Sequence, residues 1–136
     1  MFEVLEHPAD VGFRATGRSL PELFESAAEA LVSIVLDPQN VSPTTTVTLT
    51  AEGNSNESLL VNWLSDVLYW LDGERFAMRF FKVQQLDSGH VTAAAKGERR
   101  DPARHETRLV VKGITYHQLK IEKSFPNWVC EVYLDV

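Results

Sequence analysis

Leu59, Leu60, Trp63, Leu64, Val67, Leu68 and Leu71 recur at spacings of three and four, which gathers them on one face of an α-helix. This is the clearest periodic signal in the chain. It constrains the fold, because a helix with a single apolar stripe must lay that stripe against another layer. Gly53-Asn54-Ser55-Asn56 precedes the helix as a turn offering several N-caps. Asp72-Gly73 ends it, with Gly73 expected as a left-handed cap. Tyr69 and Trp70 widen the stripe toward a neighbouring layer. A further helix is expected from Ser19 to about Leu36. Ser19 and Glu22 have capping-box spacing, and Pro21 stands in the first turn. Leu20, Leu23, Phe24, Ala27, Ala28, Leu31, Ile34 and Val35 form its apolar face, while Glu22, Glu25 and Glu29 face away and suit its positive N-terminal half. Asp37-Pro38 stops it.

Strand patterns surround the two helices. Val11 to Gly17 reads as a short strand. Val47, Leu49 and Ala51 alternate with Thr48, Thr50 and Glu52 as a half-buried strand. Met78 to Leu86 and Val91 to Lys96 form a hairpin through Asp87-Ser88-Gly89. Gly97 to Arg104 is polar and reads as a mobile loop or surface excursion, and Thr107 to Lys112 can extend again. Leu119 and Ile121, then Trp128, Cys130, Val132 and Leu134, alternate across Pro126-Asn127 as a closing hairpin. The order predicts an α+β fold in a single domain spanning residues 1–136. It is built from two strand-helix-strand-strand modules, one inserted in the other at about residues 44–96, with two helices packed on β-sheet. A final hairpin that completes a sheet begun by the first strand brings the two ends of the chain together.

Charge is unevenly spread. Residues 1–74 carry two basic and twelve acidic side chains, a net of −10, and residues 75–136 carry eleven basic and seven acidic, a net of +4. The overall −6 makes a poor general nucleic-acid binder, since phosphate contacts supply most non-specific affinity. The asymmetry is either the mark of a molecule that docks in one orientation or the bias of a solvated surface. The one cysteine, Cys130, cannot form an internal disulfide, which fits a reducing compartment. Its apolar, alternating neighbours make it a small buried hydrophobe. No signal peptide or membrane-length apolar run is evident, and a cytoplasmic protein that does not engage membranes is expected.

The chemistry-bearing stretches lie at the two ends. Glu6-His7-Pro8-Ala9-Asp10-Val11-Gly12 reads as a stiff polar turn, since Pro8 biases His7 away from the helical region and Gly12 permits close approach. The other end is Tyr133-Leu134-Asp135-Val136. If the fold sets Asp10 beside Asp135 and the main-chain carboxylate of Val136, three carboxyl groups meet, and they repel one another unless a cation or protons neutralise them. The bland alternative is that Asp10 caps a turn and the terminus frays.

These stretches, with Glu57-Ser58-Leu59-Leu60-Val61-Asn62-Trp63-Leu64 and Ile114-Thr115-Tyr116-His117-Gln118-Leu119-Lys120-Ile121-Glu122, together resemble the archease family from near the first residue to the last. One departure is Pro8, where the family often has Thr. The resemblance implies a small non-enzymatic protein cofactor of the RtcB-type RNA ligase, which joins tRNA halves in splicing and repairs broken RNA. GTP and Mn²⁺ would belong to that ligase, and the cofactor would promote its guanylylation and repeated turnover. RNA would be met only indirectly, through the ligase. The family's metal site, carried over, is Asp10, Asp135 and Val136. Such a hard oxygen set suits Ca²⁺ first and Mg²⁺ second, with water completing the sphere.

Further candidates stand behind these. Glu6 and His7 share the first turn, and His7 either orients the site or belongs to an interface. His105 and His117 either support the site or are satisfied structural histidines. Asp37 either approaches the same end of the sheet or stops a helix. Arg99, Arg100, Arg104, Arg108 and Lys112 either contact an acidic ligase surface or RNA phosphates, or form a solvated loop. Trp63 and Trp70 are expected in packing. The competing functions are a small metal-dependent hydrolase using the same carboxylates with His7 as acid or base, and a stand-alone RNA-binding module. No G-x-S-x-G, H-E-x-x-H or glycine-rich phosphate loop supports the first, and the acidic balance opposes the second.

Overall fold

A computed structural model of the chain describes residues 1–7 and 10–136, and for residues 6, 7 and 10 the backbone alone. Strands β1 (Phe2–His7), β2 (Asp10–Gly17), β6 (Gly113–Ile114), β7 (Lys120–Ser124) and β8 (Asn127–Asp135) form one sheet. Strands β3 (Thr45–Glu52), β4 (Phe76–Asp87) and β5 (His90–Arg99) form another. Helices α1 (Leu20–Val35) and α2 (Asn56–Asp72) supply the remaining layer. The first sheet has the order β1-β2-β8-β6, with β7 also on β8, and every pair in both sheets is antiparallel. The second sheet and α2 come from one continuous stretch between the two parts of the first sheet, which is the expected nested arrangement of an α+β fold.

Both helices begin where their caps require. Ser19 Oγ accepts from Glu22 N–H, and Ser55 and Ser58 form a reciprocal capping box. Asp37-Pro38 ends α1 by opening a 3₁₀ turn, Pro38–Asn40, in which the Asp37 carboxylate accepts from Gln39 N–H. α1 packs on β1, β2 and β8 on one side and on β4 on the other, so one core serves both modules. Trp63 joins them. Its indole N–H donates to the Phe24 carbonyl of α1 at 2.9 Å, and its ring meets Phe81 of β4 edge-on at 6.2 Å. A buried aromatic with its polar atom satisfied contributes its full area to the core.

Four expectations are corrected. Residues 6–12 are not a turn throughout: β1 runs to His7 and β2 starts at Asp10, paired as a hairpin. Leu5 interrupts the apolar alternation of β1 because it lies opposite Gly12 on the face away from α1, which hid the strand. Gly73 is right-handed, at φ −77°. It is required instead for close approach, since a Cβ there would meet the Tyr69 ring and carbonyl. Tyr69 faces solvent, with its hydroxyl on Glu74 at 2.8 Å, and only Trp70 packs inward, edge-on to Phe76. Residues 107–112 form no strand; Arg108 N–H is held by the Val35 carbonyl and Lys112 N–H by that of Asp135.

The edges of the second sheet are partly closed by helix side chains. Glu25 of α1 accepts from Val83 N–H on β4, Asn62 of α2 donates to the Glu52 carbonyl on β3, and Thr50 N–H donates to Asp66. Each takes up a main-chain group that would otherwise template pairing with another chain. Replacing Trp63 by Phe removes the bond to α1 and leaves a cavity between the modules. It is expected to cost about 2–3 kcal/mol in urea unfolding, with the transition remaining single.

Candidate metal-binding end of the central sheet

The β2–β8 ladder pairs Val11 with Leu134 and continues through Gly17 with Trp128. Asp10 is therefore the next residue beyond the ladder on one strand and Asp135 the next on the other. Directly opposed residues in an antiparallel pair have Cα atoms about 5 Å apart. On the opposite side of β8, Gly113 pairs with Asp135 and Ile114 with Leu134. The Asp135 carbonyl accepts from Lys112 N–H at 2.7 Å, which pins the end of β8 between two strands. Asp135 and Val136 are solvent-exposed. The side chains of Glu6, His7 and Asp10 lie outside the described residues; their backbones belong to the β1–β2 hairpin, where His7 pairs with Asp10. Among the described residues no three His, Cys, Asp or Glu side chains converge as a ligand set.

Two further residues shape this end, Gly12 in the close approach expected of it and Thr115 in a role the sequence did not reveal. Gly12 is buried, and a Cβ on it would strike the Val132 carbonyl and the Tyr133 ring, so glycine is what lets β2 lie flush against β8 beside Asp10. Thr115 donates its N–H and its hydroxyl to the Tyr133 carbonyl, both at 3.1 Å. Its own Oγ accepts from His117 N–H at 3.3 Å. The Thr115-Tyr116-His117 segment is thus fastened to β8 two residues before Asp135, and the side chains of Tyr116, His117 and Lys112 are exposed. Beside Val11 a cleft of 440 Å³ opens among Val4, Ser33, Ile34, Arg108 and Leu109. Asp37 reaches Arg108 at 3.4 Å while capping the 3₁₀ turn.

The register brings the backbone positions of Asp10, Asp135 and Val136 to one end of the sheet, and two carboxylates with a main-chain oxygen would make a donor set suited to a hard cation. No sulfur is present there. The only cysteine, Cys130, is fully buried on β8, and burial pushes its thiol up to about 12.

The polar loop after β5 is not an excursion. Arg100 is buried, donating to the Leu71 carbonyl, Asp72 and Thr107 Oγ1. His105 is 1% exposed; Asp101 N–H donates to its Nδ1, and its Nε2 lies 3.0 Å from Glu98. Arg104 grips both oxygens of Glu98, and Ser42 N–H donates to the same carboxylate. Arg100, Arg104 and Arg108 therefore have internal partners, and this cluster ties the return from the second sheet to α2 and to residue 42. The Arg104 hydrogen bonds, then that from Ser42, hold the Glu98 carboxyl well below its usual 4.5, at about 2. A lowered value contributes stability that is complete above pH 4.5 and is lost as pH falls toward 2. Thermal melts should show Glu98→Gln less stable than the parent at pH 6, with the difference closing on acidification toward pH 2.

A family model described as "Archease protein family (MTH1598/TM1083)" matches residues 2–136. The chain is similar to Protein archease of Sulfurisphaera tokodaii, 37% identical over 137 residues, which cover 99% of this chain and 98% of that one. It is 38% identical to Protein archease of Pyrococcus abyssi over 140 residues, with the same coverage. The solution structure of Methanobacterium thermoautotrophicum protein 1598 has a TM-score of 0.77 at 33% identity, covering 99% of this chain and 98% of that chain. The crystal structure of a Thermotoga maritima archease, described as a possible chaperone, has a TM-score of 0.65 at 20% identity and covers 97% and 94%. That second likeness is one of fold.

Proposed function

This chain belongs to the archease family, and from that premise we propose that it is a non-catalytic, metal-carrying cofactor of an RtcB-type RNA ligase in tRNA splicing and RNA repair. The observation that supports the reading is the register of β2 on β8, whose terminal pair is Val11 with Leu134, so that the backbone positions of Asp10 and Asp135 each follow it by one residue although they are far apart in sequence. Asp10, Asp135 and the Val136 main-chain oxygen would hold a divalent cation, Ca²⁺ first and Mg²⁺ second. Bound there, the ion would supply positive charge for phosphate oxygens in the ligase's nucleotide pocket during guanylylation. The chain's own contribution is positional. Gly12 lets β2 lie flush on β8, the Gly113 pairing fixes the end of β8 from its other side, and the fastened Thr115 segment gives the partner a fixed surface beside them.

Cys130 is fully buried and His105 is bonded to Asp101 and Glu98, so neither side chain is open to a substrate. The Thermotoga structure, alike in fold, is described as a possible chaperone, and that description raises a second reading in which the chain protects its partner's folded state.

One experiment separates the two readings. Guanylylation and multiple-turnover ligation by the ligase are measured with this protein, with Asp135→Asn and with Asp10→Asn, alongside the ligase's thermal aggregation. The cofactor reading expects stimulation to fall at least about tenfold in each variant, with partner solubility unchanged. Full stimulation by both variants would overturn the metal site. Protection without stimulation would favour the chaperone reading.

A further inference from the structure

We propose that the solvent-facing side of the three-stranded sheet binds a single-stranded polynucleotide, with Phe80 as its stacking platform. The proposal does not depend on the ligase or on the metal-binding end.

Strand parity sets Thr46, Thr48 and Thr50 of β3, Thr92, Ala94 and Lys96 of β5, and Phe80, Lys82 and Gln85 of β4 on this side. Their opposite neighbours, among them Leu49, Val91, Ala93, Ala95 and Phe81, are buried against the helices. No carboxylate stands among these nine positions, in a chain whose net charge is −6. Among the described residues, carboxylates stand at the margins, with Glu52 and Asp87 beside His90, with Glu98 already held by Arg104 and His105, and with Glu29 of α1 in the cleft it lines together with Arg79 and Phe80.

A β-bulge builds the centre of this face. The pairing shifts by one residue between Met78 and Phe80, so Arg79 is the extra residue. Met78, opposite Gly97, points inward, and strict alternation would have buried Phe80 as well. The bulge turns Phe80 outward, 50% exposed, and sends Phe81 into the core in its place. The Arg79 guanidinium lies 5.1 Å from the centre of the Phe80 ring. Lys96 is directly across from Phe80, about 5 Å away, and Lys82 is one two-residue step along β4, about 6.6 Å. Among the described residues none of Arg79, Lys82 and Lys96 has a carboxylate within ion-pair distance. Arg79 also borders a polar recess of 540 Å³ shared with Gln39, Ser42 and Arg104, which extends the face beyond the sheet.

Three cations without a carboxylate partner, of which Arg79 keeps one hydrogen bond to the Val41 carbonyl at 3.4 Å, surround an outward aromatic on a hydroxyl-rich sheet and suit a ligand that alternates flat rings with negative charge. Bases stack on the ring whatever their sequence, and phosphates meet the cations. An acidic protein surface would use the lysines but not the ring.

The test is fluorescence anisotropy of a labelled oligouridylate of about twelve nucleotides at low salt, with no ligase present. Binding is expected to weaken with salt at a log–log slope of about −2, for three phosphate contacts. Lys82→Glu with Lys96→Glu should lower affinity at least about tenfold. Phe80→Ala should lower it several-fold while Phe80→Tyr retains it. Lys120→Glu with Lys123→Glu, the same double charge reversal on the other sheet, should leave it unaltered. All the replaced side chains are exposed, and matching melting curves establish that each variant is folded. The proposal is overturned by absence of binding at low salt, or by affinity unchanged in the double lysine variant. It is equally overturned if polyglutamate displaces the RNA as readily as unlabelled oligouridylate does, which would give the face to an acidic protein.

Discussion

The ladder between β2 and β8 is the constraint on which the rest of the molecule depends. It joins residues 11–17 to residues 128–134 through seven backbone pairs, and everything between must fit inside the loop it closes. α1 can bury its apolar stripe on the first sheet only once Phe13 and Ala15 of β2 stand beside Val132 and Cys130 of β8, because those four side chains are its floor. The Ser55-capped helix and its three strands make their pairings locally, whereas this ladder is among the most non-local in the chain. Contacts of such separation carry a large closure entropy and form late. The second sheet is therefore well placed to be the surface on which the first is assembled, with Trp63 already directed at the helix it must meet.

Legibility followed locality. The capping serines at 19 and 55, the apolar stripes, and the Asp87–Gly89 connection each write their structure within a few residues, and the helices and the central hairpin stand where those patterns put them. Residues 97–105 did not read correctly, because a buried arginine and histidine look like solvent-loving residues until their partners are known. Arg100 finds a helix C-terminus, and His105 finds a carboxylate on the preceding strand. The outward turn of Phe80 was equally hidden, since a bulge is a property of the pairing and not of one strand's alternation. At the candidate site, the meeting of the two chain ends followed from the order of elements and the close approach at Gly12 from its residue type, but the role of Thr115 could be recognised only from what it touches.

The electrostatic division of the chain acquires a structural meaning. Acidic residues of the first half are partly used as fittings: Glu25 and Asp66 close strand edges, Asp37 caps a turn and Asp72 receives Arg100. Arginines of the second half are used to tie loops, through Arg100, Arg104 and Arg108. The cations left without a carboxylate partner include Arg79, Lys82 and Lys96, on the far sheet from Asp135. The molecule thus separates a negative strand end from a positive sheet face, an arrangement that orients it in the field of a charged partner.

β6 and β7 occupy successive lengths of the same side of β8, so residues 115–119 must leave the sheet and return to it. Gln118, at φ 53°, makes the return, and Tyr116 stands at the crest of the excursion, 58% exposed. With Thr115 moored to the Tyr133 carbonyl, that crest is fixed a short step from Asp135. Any macromolecule gripping the acidic strand end is therefore obliged to accommodate a tyrosine ring and an imidazole in the same embrace. Recognition of that end is a matter of shape as well as of charge.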